Sequence, residues 1–319
     1  MVMAQSLFRL LKKQQPDQSI DVLAPAWSLP IVARMPEIRR GVASETEHRK
    51  LDLATRRRIG KSLRAERYSR AIVLPRSFKS ALIPWFARIP QRTGFRGESR
   101  FGLITEVRNF DKTVLDQTVK RFVALGIDDG QPLPTLMFPK LTVDRGRQRQ
   151  LMDSLALDTR RPVVAMMPGA EYGPAKCWPL DYFAELARIL DAAGYAVWVM
   201  GSDKDVDAGQ FIAEKSAAAN LCGRTSLADV IDLLGAAQQA VSNDSGLMHI
   251  AAAVGTHVHG VYGSSTPDFT PPLTDTCDVH YLRVECSPCF KRECPLGHLK
   301  CLKDLPPEAV LTAVERASA

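Results

Sequence analysis

The stretch from Ala240 to Tyr262, AVSNDSGLMHIAAAVGTHVHGVY, constrains the fold of this 319-residue chain more than any other. It predicts a strand ending at Ser242, a polar turn at 243–246, a helix stopped by Gly255, and a second strand. Such a turn places free backbone N–H groups and the positive end of a helix dipole at one point, which suits a phosphate. A plain capped crossover between strand and helix explains the same residues, so the motif alone leaves both interpretations open.

Three residues of this stretch are candidates for ligand binding. Ser245 adds a hydroxyl, and Gly246 allows a ligand to approach the backbone closely. His249 lies about one helical turn further on, so it faces the same end of the helix.

The second half of the chain repeats the order strand, loop, helix, which predicts a parallel α/β sheet. Ligands of such sheets lie beyond the carboxyl ends of the strands. Three loops take that position: 168–178, which carries Glu171 and Lys176, then 201–204, then 243–246. A lysine beside helix N-termini suits a diphosphate, so we expect a nucleoside diphosphate there. The sequence has neither GxxxxGK[ST] nor GxGxxG, which argues against a P-loop ATPase and a standard dehydrogenase.

The chain is long enough for two domains, and its first part also has an α/β pattern. We predict a first domain at 1–145, a second at 146–305, and a final helix at 306–319 that packs back on the first domain. The predicted elements of the first part are helices at 6–15, 56–67 and 112–125, strands at 19–24 and 71–74, and a basic turn at 90–97.

Charge is distributed unevenly. Residues 1–100 hold 21 Lys+Arg and 8 Asp+Glu, a net +13, whereas the whole chain is +7, so residues 101–319 carry −6. A basic first third indicates an anionic partner, although a solvated surface is the alternative. The sequence lacks a membrane-spanning run and the order of a signal peptide, so we expect a cytoplasmic protein with its seven cysteines reduced.

Four of these cysteines cluster near the C-terminus as Cys286-x2-Cys289-x4-Cys294-x6-Cys301, with His298 nearby. Zinc sites of four cysteines, or of three cysteines and one histidine, use such short spacings. The spacing lacks a second CxxC, and we favour a loop of reduced thiols on the second domain over a zinc site, and a zinc site over an iron–sulfur site. We therefore assign no metal and no cofactor from the sequence.

The motifs PGAEYGPAKCWP at 168–179, NDSGLMHIAAA at 243–253 and YGSSTPDFTPPL at 262–273 resemble the ADP-heptose:lipopolysaccharide heptosyltransferases of glycosyltransferase family 9. APAW at 24–27 and SFKSAL at 77–82 look most like the branch that adds the second heptose. The resemblance covers nearly the whole chain. It implies a GT-B fold, with two Rossmann-like domains facing a cleft, and inverting transfer of heptose from ADP-L-glycero-D-manno-heptose to the first heptose of the lipopolysaccharide inner core.

The same resemblance assigns roles to individual residues. It places Lys176 near the diphosphate and matches Asp244, Ser245, Gly246 and His249 to the donor motif D-[ST]-G-x-x-H. Weaker donor candidates are Gly169, Ala170, Glu171, Gly201 and Ser202, and Arg76 and Lys79 are candidates for acceptor phosphates.

The chain departs from the family at its start. Family members begin with a strand and a Gly-rich loop, whose aspartate acts as the general base on the acceptor hydroxyl. In this alignment that aspartate falls before Met1, so we assign no catalytic residue. We expect the chain as given to be inactive or nearly so, and its first domain to be less stable without a central strand.

Several alternatives stay open at this point: another GT-B sugar-nucleotide transferase, a 2-epimerase, and a truncated form that only binds the donor. A zinc-bearing nucleic-acid binder is disfavoured, because aromatic residues do not interleave with the basic ones. The expected partners are ADP-heptose, the anionic inner-core acceptor and, peripherally, the cytoplasmic membrane surface, with no nucleic acid.

Overall fold

The computed structural model describes residues 1–46 and 50–318 of the chain. Contacts divide it into two compact units, Met3–Met137 and Phe138 onward. The boundary between them precedes the predicted boundary at 145/146. No helix within the described ranges is long and apolar enough to cross a membrane.

The first unit contains two parallel sheets rather than one. Strands β1 and β2 pair with each other, and β3, β4 and β5 form the other sheet in that order. In chain order its elements are α1 Gln5–Gln14, β1 Asp21–Pro25, α2 Leu29–Val32, β2 Arg40–Ser44, α3 Leu53–Ser62, β3 Arg70–Val73, α4 Leu82–Phe86, β4 Gln91–Phe95, β5 Glu106–Arg108 and α5 Thr118–Ala124.

Two predictions for the first unit are wrong in part. The predicted basic turn at 90–97 is strand β4, in which Thr93 and Phe95 are buried while Arg92 donates to the carbonyl oxygen of Leu103. The arginines concealed the buried face of this strand. The helix predicted at 112–125 begins only at Thr118, because Asp111 holds the preceding residues in a turn through the N–H of Thr113.

The second unit is built around a six-stranded parallel sheet of order β11-β10-β9-β6-β7-β8. Its elements are α6 Arg145–Ser154, β6 Val163–Met167, α7 Leu180–Ala192, β7 Ala196–Val199, α8 Val206–Glu214, β8 Ala219–Asn220, α9 Leu227–Leu234, β9 Gln239–Asn243, α10 Gly246–Val254, β10 His257–Val261, β11 Cys277–His280, α11 Lys300–Lys303 and α12 Pro307–Ser318. The order reverses between β6 and β9, and ligands of open parallel sheets bind at this kind of switch point.

Helix α7 supplies much of the core of this unit. Its residues Phe183, Leu186 and Leu190 recur at helical spacing, as the sequence predicts, and all three are fully buried against the sheet. Helix α9 begins with the predicted capping box, in which the Ser226 hydroxyl and the Asp229 carboxylate each bond to the other's backbone N–H.

The final helix, α12, belongs to the second unit. Val310 and Val314 are buried in the same core as α7, and Gln239 of β9 donates to the carbonyl oxygen of Val314. Its apolar face completes the core beside α7, and its packing on the first domain stays a prediction.

A buried histidine lies in the β9–β10–β11 part of the sheet. His259 Nε2 is 2.6 Å from Gln239 Oε1, and His259 Nδ1 is 3.5 Å from the Asp278 carboxylate. Burial, followed by the neighbouring rings of His257 and His280, lowers the pKa of His259 to about 3. The folded state therefore holds this ring neutral.

We predict that acid weakens the second unit through His259. An unfolded histidine takes up a proton below a pKa of about 6.5, whereas the folded one does so only near 3. The free energy of unfolding therefore decreases as the pH is lowered from about 6.5 towards 3, by up to about 1.4 kcal/mol per pH unit. Urea unfolding between pH 7.5 and 4.5 measures this fall. His259→Gln, which keeps an amide against Gln239, is expected to flatten it; an unchanged slope contradicts the prediction.

Candidate functional site

The candidate site lies where β6 and β9 end side by side. Asn243, the last residue of β9, is fully buried and bonds to both ends of the 168–178 loop. Its Oδ1 accepts from the Trp178 N–H at 2.9 Å, and its Nδ2 donates to the Pro168 carbonyl oxygen at 2.6 Å. One amide side chain therefore fixes the loop that carries Lys176.

Lys176 and Asp244 form the charged centre of this site. Lys176 Nζ lies 2.5 Å from Asp244 Oδ2, and the side chains are only 17% and 5% exposed. The Thr270 hydroxyl lies 3.4 Å from both oxygens of the same carboxylate. A half-buried lysine held in one position by a carboxylate is a preorganised cation, available to an anion that approaches from the open side.

Helix α10 begins next to this pair. Ser245 caps the helix by accepting from the Met248 N–H, and its hydroxyl lies 3.3 Å from that of Ser242. Gly246 is exposed, and a Cβ atom there would meet nothing within 4 Å, so the helix N-terminus is open to a ligand.

His249 extends the site along α10. Burial lowers its pKa to about 4, so its ring is neutral at pH 7. Its Nδ1 atom is buried and has no hydrogen-bond partner among the residues that the structure describes. A neutral ring can donate one hydrogen bond to a ligand but adds no charge.

The 201–204 loop joins the site through the 168–178 loop. Lys204 Nζ pairs with the Glu171 carboxylate at 2.7 Å, and both side chains are largely exposed. The Asp205 carboxylate accepts from the N–H and the hydroxyl of Ser202. The structure thus brings together all three loops predicted from the sequence.

The glycines of these loops have a structural explanation. A Cβ atom on Gly169 would lie 2.2 Å from an Asp205 oxygen, and one on Gly201 would lie 2.6 Å from the Asp205 Cβ. Both glycines therefore make room for Asp205. Ala170, which follows Gly169 in the chain, is half-buried.

The two acceptor candidates lie in the first unit. The exposed Arg76 guanidinium stacks on the Phe110 ring at 4.4 Å, and Arg121 lies over the same ring at 4.9 Å. Burial, then the charge of Arg76, lowers the pKa values of both Arg121 and Arg100. Lys79 Nζ lies apart, 3.4 Å from the carbonyl oxygen of Lys50.

Sequence reasoning missed three residues that organise the site. The sequence predicts Asn243 only as part of a polar turn, and it indicates no role for Asp205 or Thr270. A signal existed for Asn243, because an amide at the very end of an apolar strand is an unusual choice. No local signal marks Asp205 or Thr270, whose partners are distant in the chain.

Comparison with known proteins agrees with this architecture. The family model described as glycosyltransferase family 9 (heptosyltransferase) matches residues 56–300. Lipopolysaccharide heptosyltransferase 2 of Salmonella typhimurium is 44% identical, over 98% of this chain and 93% of that protein. The protein of the same name from Escherichia coli K12 is 43% identical over the same shares. A solved structure of E. coli ADP-heptose lps heptosyltransferase II has a TM-score of 0.88 at 42% identity, covering 99% of this chain and 94% of that one.

The chain therefore belongs to glycosyltransferase family 9 and is a glycosyltransferase. Within the family it is similar to the heptosyltransferases numbered 2 over nearly its full length. The resemblance drawn from the motifs is confirmed, and so is the predicted GT-B fold class.

We predict that Asn243→Ala loosens the donor side of the second unit. It leaves the N–H of fully buried Trp178 and the carbonyl of Pro168 without their partner, at a cost of about 2–4 kcal/mol. Urea unfolding measures the loss. Gln210→Ala removes an exposed amide that donates to Glu214 and serves as the control. Equal stability of the two variants would contradict the role assigned to Asn243.

Proposed function

We propose that this chain transfers heptose from ADP-L-glycero-D-manno-heptose to the first heptose of the lipopolysaccharide inner core, with inversion at the anomeric carbon. The observation that carries the proposal is the Lys176–Asp244 pair beside the open N-terminus of α10. The printed names of the similar proteins, lipopolysaccharide heptosyltransferase 2 and ADP-heptose lps heptosyltransferase II, support this choice of donor and acceptor.

In the proposed complex the diphosphate lies against the start of α10. The N–H groups there and the Ser245 hydroxyl donate to phosphate oxygens, and Gly246 leaves room for the approach. His249 donates one hydrogen bond from its neutral ring. The weaker candidates Gly169, Ala170, Glu171, Gly201 and Ser202 form the wall of the site on the side of the other two loops.

Lys176 supplies the charge that the reaction needs. Cleavage of the bond between the sugar and the diphosphate leaves a growing negative charge on ADP, and a fixed cation stabilises that charge more than it stabilises the ground state. Asp244 keeps Lys176 in place before the donor binds. The lone pairs of its carboxylate that Lys176 does not use accept hydrogen bonds from hydroxyl groups of the heptose.

We predict that Lys176→Ala weakens ADP binding about 10- to 100-fold, since a charge-assisted hydrogen bond contributes about 1.5–3 kcal/mol. Isothermal titration calorimetry measures the dissociation constant. Lys215→Ala is the matched control, because that lysine pairs with Asp181 on the surface. ADP affinity equal to that of the control protein would remove Lys176 from the donor site.

The acceptor is proposed to bind in the first unit, through Arg76 and Lys79. Arg76 repels both Arg100 and Arg121, and an anionic group relieves that repulsion. The basic first third also favours peripheral contact with an anionic membrane surface.

We expect Arg76→Ala to weaken binding of a phosphorylated inner-core acceptor about tenfold, while ADP affinity stays the same. Arg58→Ala, which removes a similarly exposed arginine paired with Glu45, is expected to change neither. Acceptor titrations of the three proteins compare them. A loss of ADP affinity in the Arg76 variant, or no loss of acceptor affinity, contradicts the assignment.

A further inference from the structure

The segment between β11 and α11, residues 281–299, has no helix or strand. Long irregular loops are uncommon in compact domains and require their own source of order. This segment carries Cys286, Cys289 and Cys294, and α11 adds Cys301. All four are free thiols, and the proposed transfer reaction uses none of them.

We propose that these four cysteines form a tetrathiolate site for a single metal ion, Zn²⁺ by preference, which holds the 281–299 segment against the donor loop. The site is structural rather than catalytic, because four sulfur ligands fill the tetrahedral coordination of zinc.

The first argument is the convergence of the side chains. All four cysteines line one small cavity of about 20 Å³, together with His298. A space of this size holds about one water molecule or one ion. Spacings of two, four and six residues bring the four sulfurs to one place from a single short segment, as structural zinc sites require.

The second argument is the backbone around Cys294. The Gly297 N–H donates to the Cys294 carbonyl oxygen at 3.1 Å, which closes a turn directly after this cysteine. Gly297 permits the tight turn with a φ of 70°. Cys301, seven residues further along the chain, lines the same cavity as Cys294.

The third argument is the mutual proximity of the thiols. Cys301 is buried and lines the cavity together with Cys286, Cys289 and Cys294. Four sulfurs this close repel one another as thiolates, and a divalent cation among them reverses that repulsion. Binding then releases the protons that the thiols hold.

Metal binding draws these sulfurs closer than the structure has them. Among the described residues, the set of potential ligand atoms within 4.8 Å of one another is His257, His259 and Asp278 rather than the cysteines. That set is already committed, since Asp278 pairs with both His257 and Arg316. Among the described residues, no ion pair or hydrogen bond to another side chain occupies these four thiols, and side-chain rotation can bring their sulfurs closer to an ion.

The position of the segment gives the ion a role. The Phe290 carbonyl oxygen accepts from the Tyr172 hydroxyl at 2.6 Å, and the Arg292 carbonyl oxygen accepts from the Ala175 N–H at 3.0 Å. Ala175 immediately precedes Lys176. The cysteine segment therefore supports the loop that presents Lys176, and this part of the inference depends on the proposed function.

Metal content of the purified full-length protein tests the site. Mass spectrometry of the metals is expected to find one zinc ion per chain in the wild type and in Cys277→Ser, whose cysteine lies outside the cluster. Cys294→Ser and the double variant Cys286→Ser/Cys289→Ser are expected to lose it. Titration with a mercurial is expected to release zinc as the four thiols react. Absence of zinc from a wild type with free thiols, a disulfide among the four, or iron in place of zinc overturns the proposal.

Two further measurements keep the test independent of misfolding and of the proposed function. Co²⁺ exchanged into the wild type is expected to show the visible bands of tetrahedral thiolate ligation; octahedral bands contradict the site. Chelation of the metal is expected to lower the thermal midpoint and weaken ADP binding. Unchanged ADP binding after zinc removal overturns the coupling to the donor loop. A wild type that holds zinc but never binds ADP overturns the proposed function and leaves the metal site in place.

Discussion

The buried side chain of Asn243 is the interaction on which the donor side of this molecule depends. Parallel strands bring the loops that follow them to one edge of a sheet, but they do not fix the shape of those loops. Asn243 does so, because its two polar ends bond to the first and last residues of the 168–178 loop. The loop then holds Lys176 within hydrogen-bond distance of Asp244, which directly follows Asn243 in the chain. Secondary structure places the parts, and one amide sets their relative positions.

The site holds one ion pair and one neutral histidine around this point. Lys176 is neutralised by Asp244 in the absence of a ligand, so the folded protein does not hold an isolated half-buried cation. His249 stays neutral and contributes hydrogen-bonding capacity without repelling Lys176. The net attraction for a diphosphate therefore comes from the N-terminus of α10 and from Lys176, which Asp244 also contacts. A site of this kind favours the charge that develops on a leaving group over charge in general.

Much of the second unit follows from local pattern. Local signals locate its elements within a few residues. They are the glycines that follow helices, the Ser226–Asp229 capping box, and the helical spacing of Phe183, Leu186 and Leu190. The turn at 243–246 and the lysine loop are likewise visible in the sequence, because parallel α/β order places them at one edge. The sequence predicts a turn instead of strand β4, because Arg92 and Arg96 give the stretch a basic, polar pattern although Thr93 and Phe95 are buried.

What the sequence could not supply are contacts between distant positions. Lys176 meets Asp244 across 68 residues, and Tyr172 reaches Phe290 across 118. Neither pair leaves a periodic trace, and each depends on where two loops end in space. The docking of α12 beside α7 is of the same kind, since an amphipathic helix reveals that it has a buried face but not which surface covers that face.

The packing of Gly169 and Gly201 on Asp205 affects how genetic data for this protein should be interpreted. Any side chain at either glycine collides with a carboxylate that is itself anchored by Ser202. Inactive variants at these positions would resemble lost ligand contacts, yet they would arise from displaced backbone. At Gly169, where the collision is with the Asp205 carboxylate, a second-site change that shortens Asp205 would distinguish the two causes, because it can relieve a collision but cannot restore a missing contact.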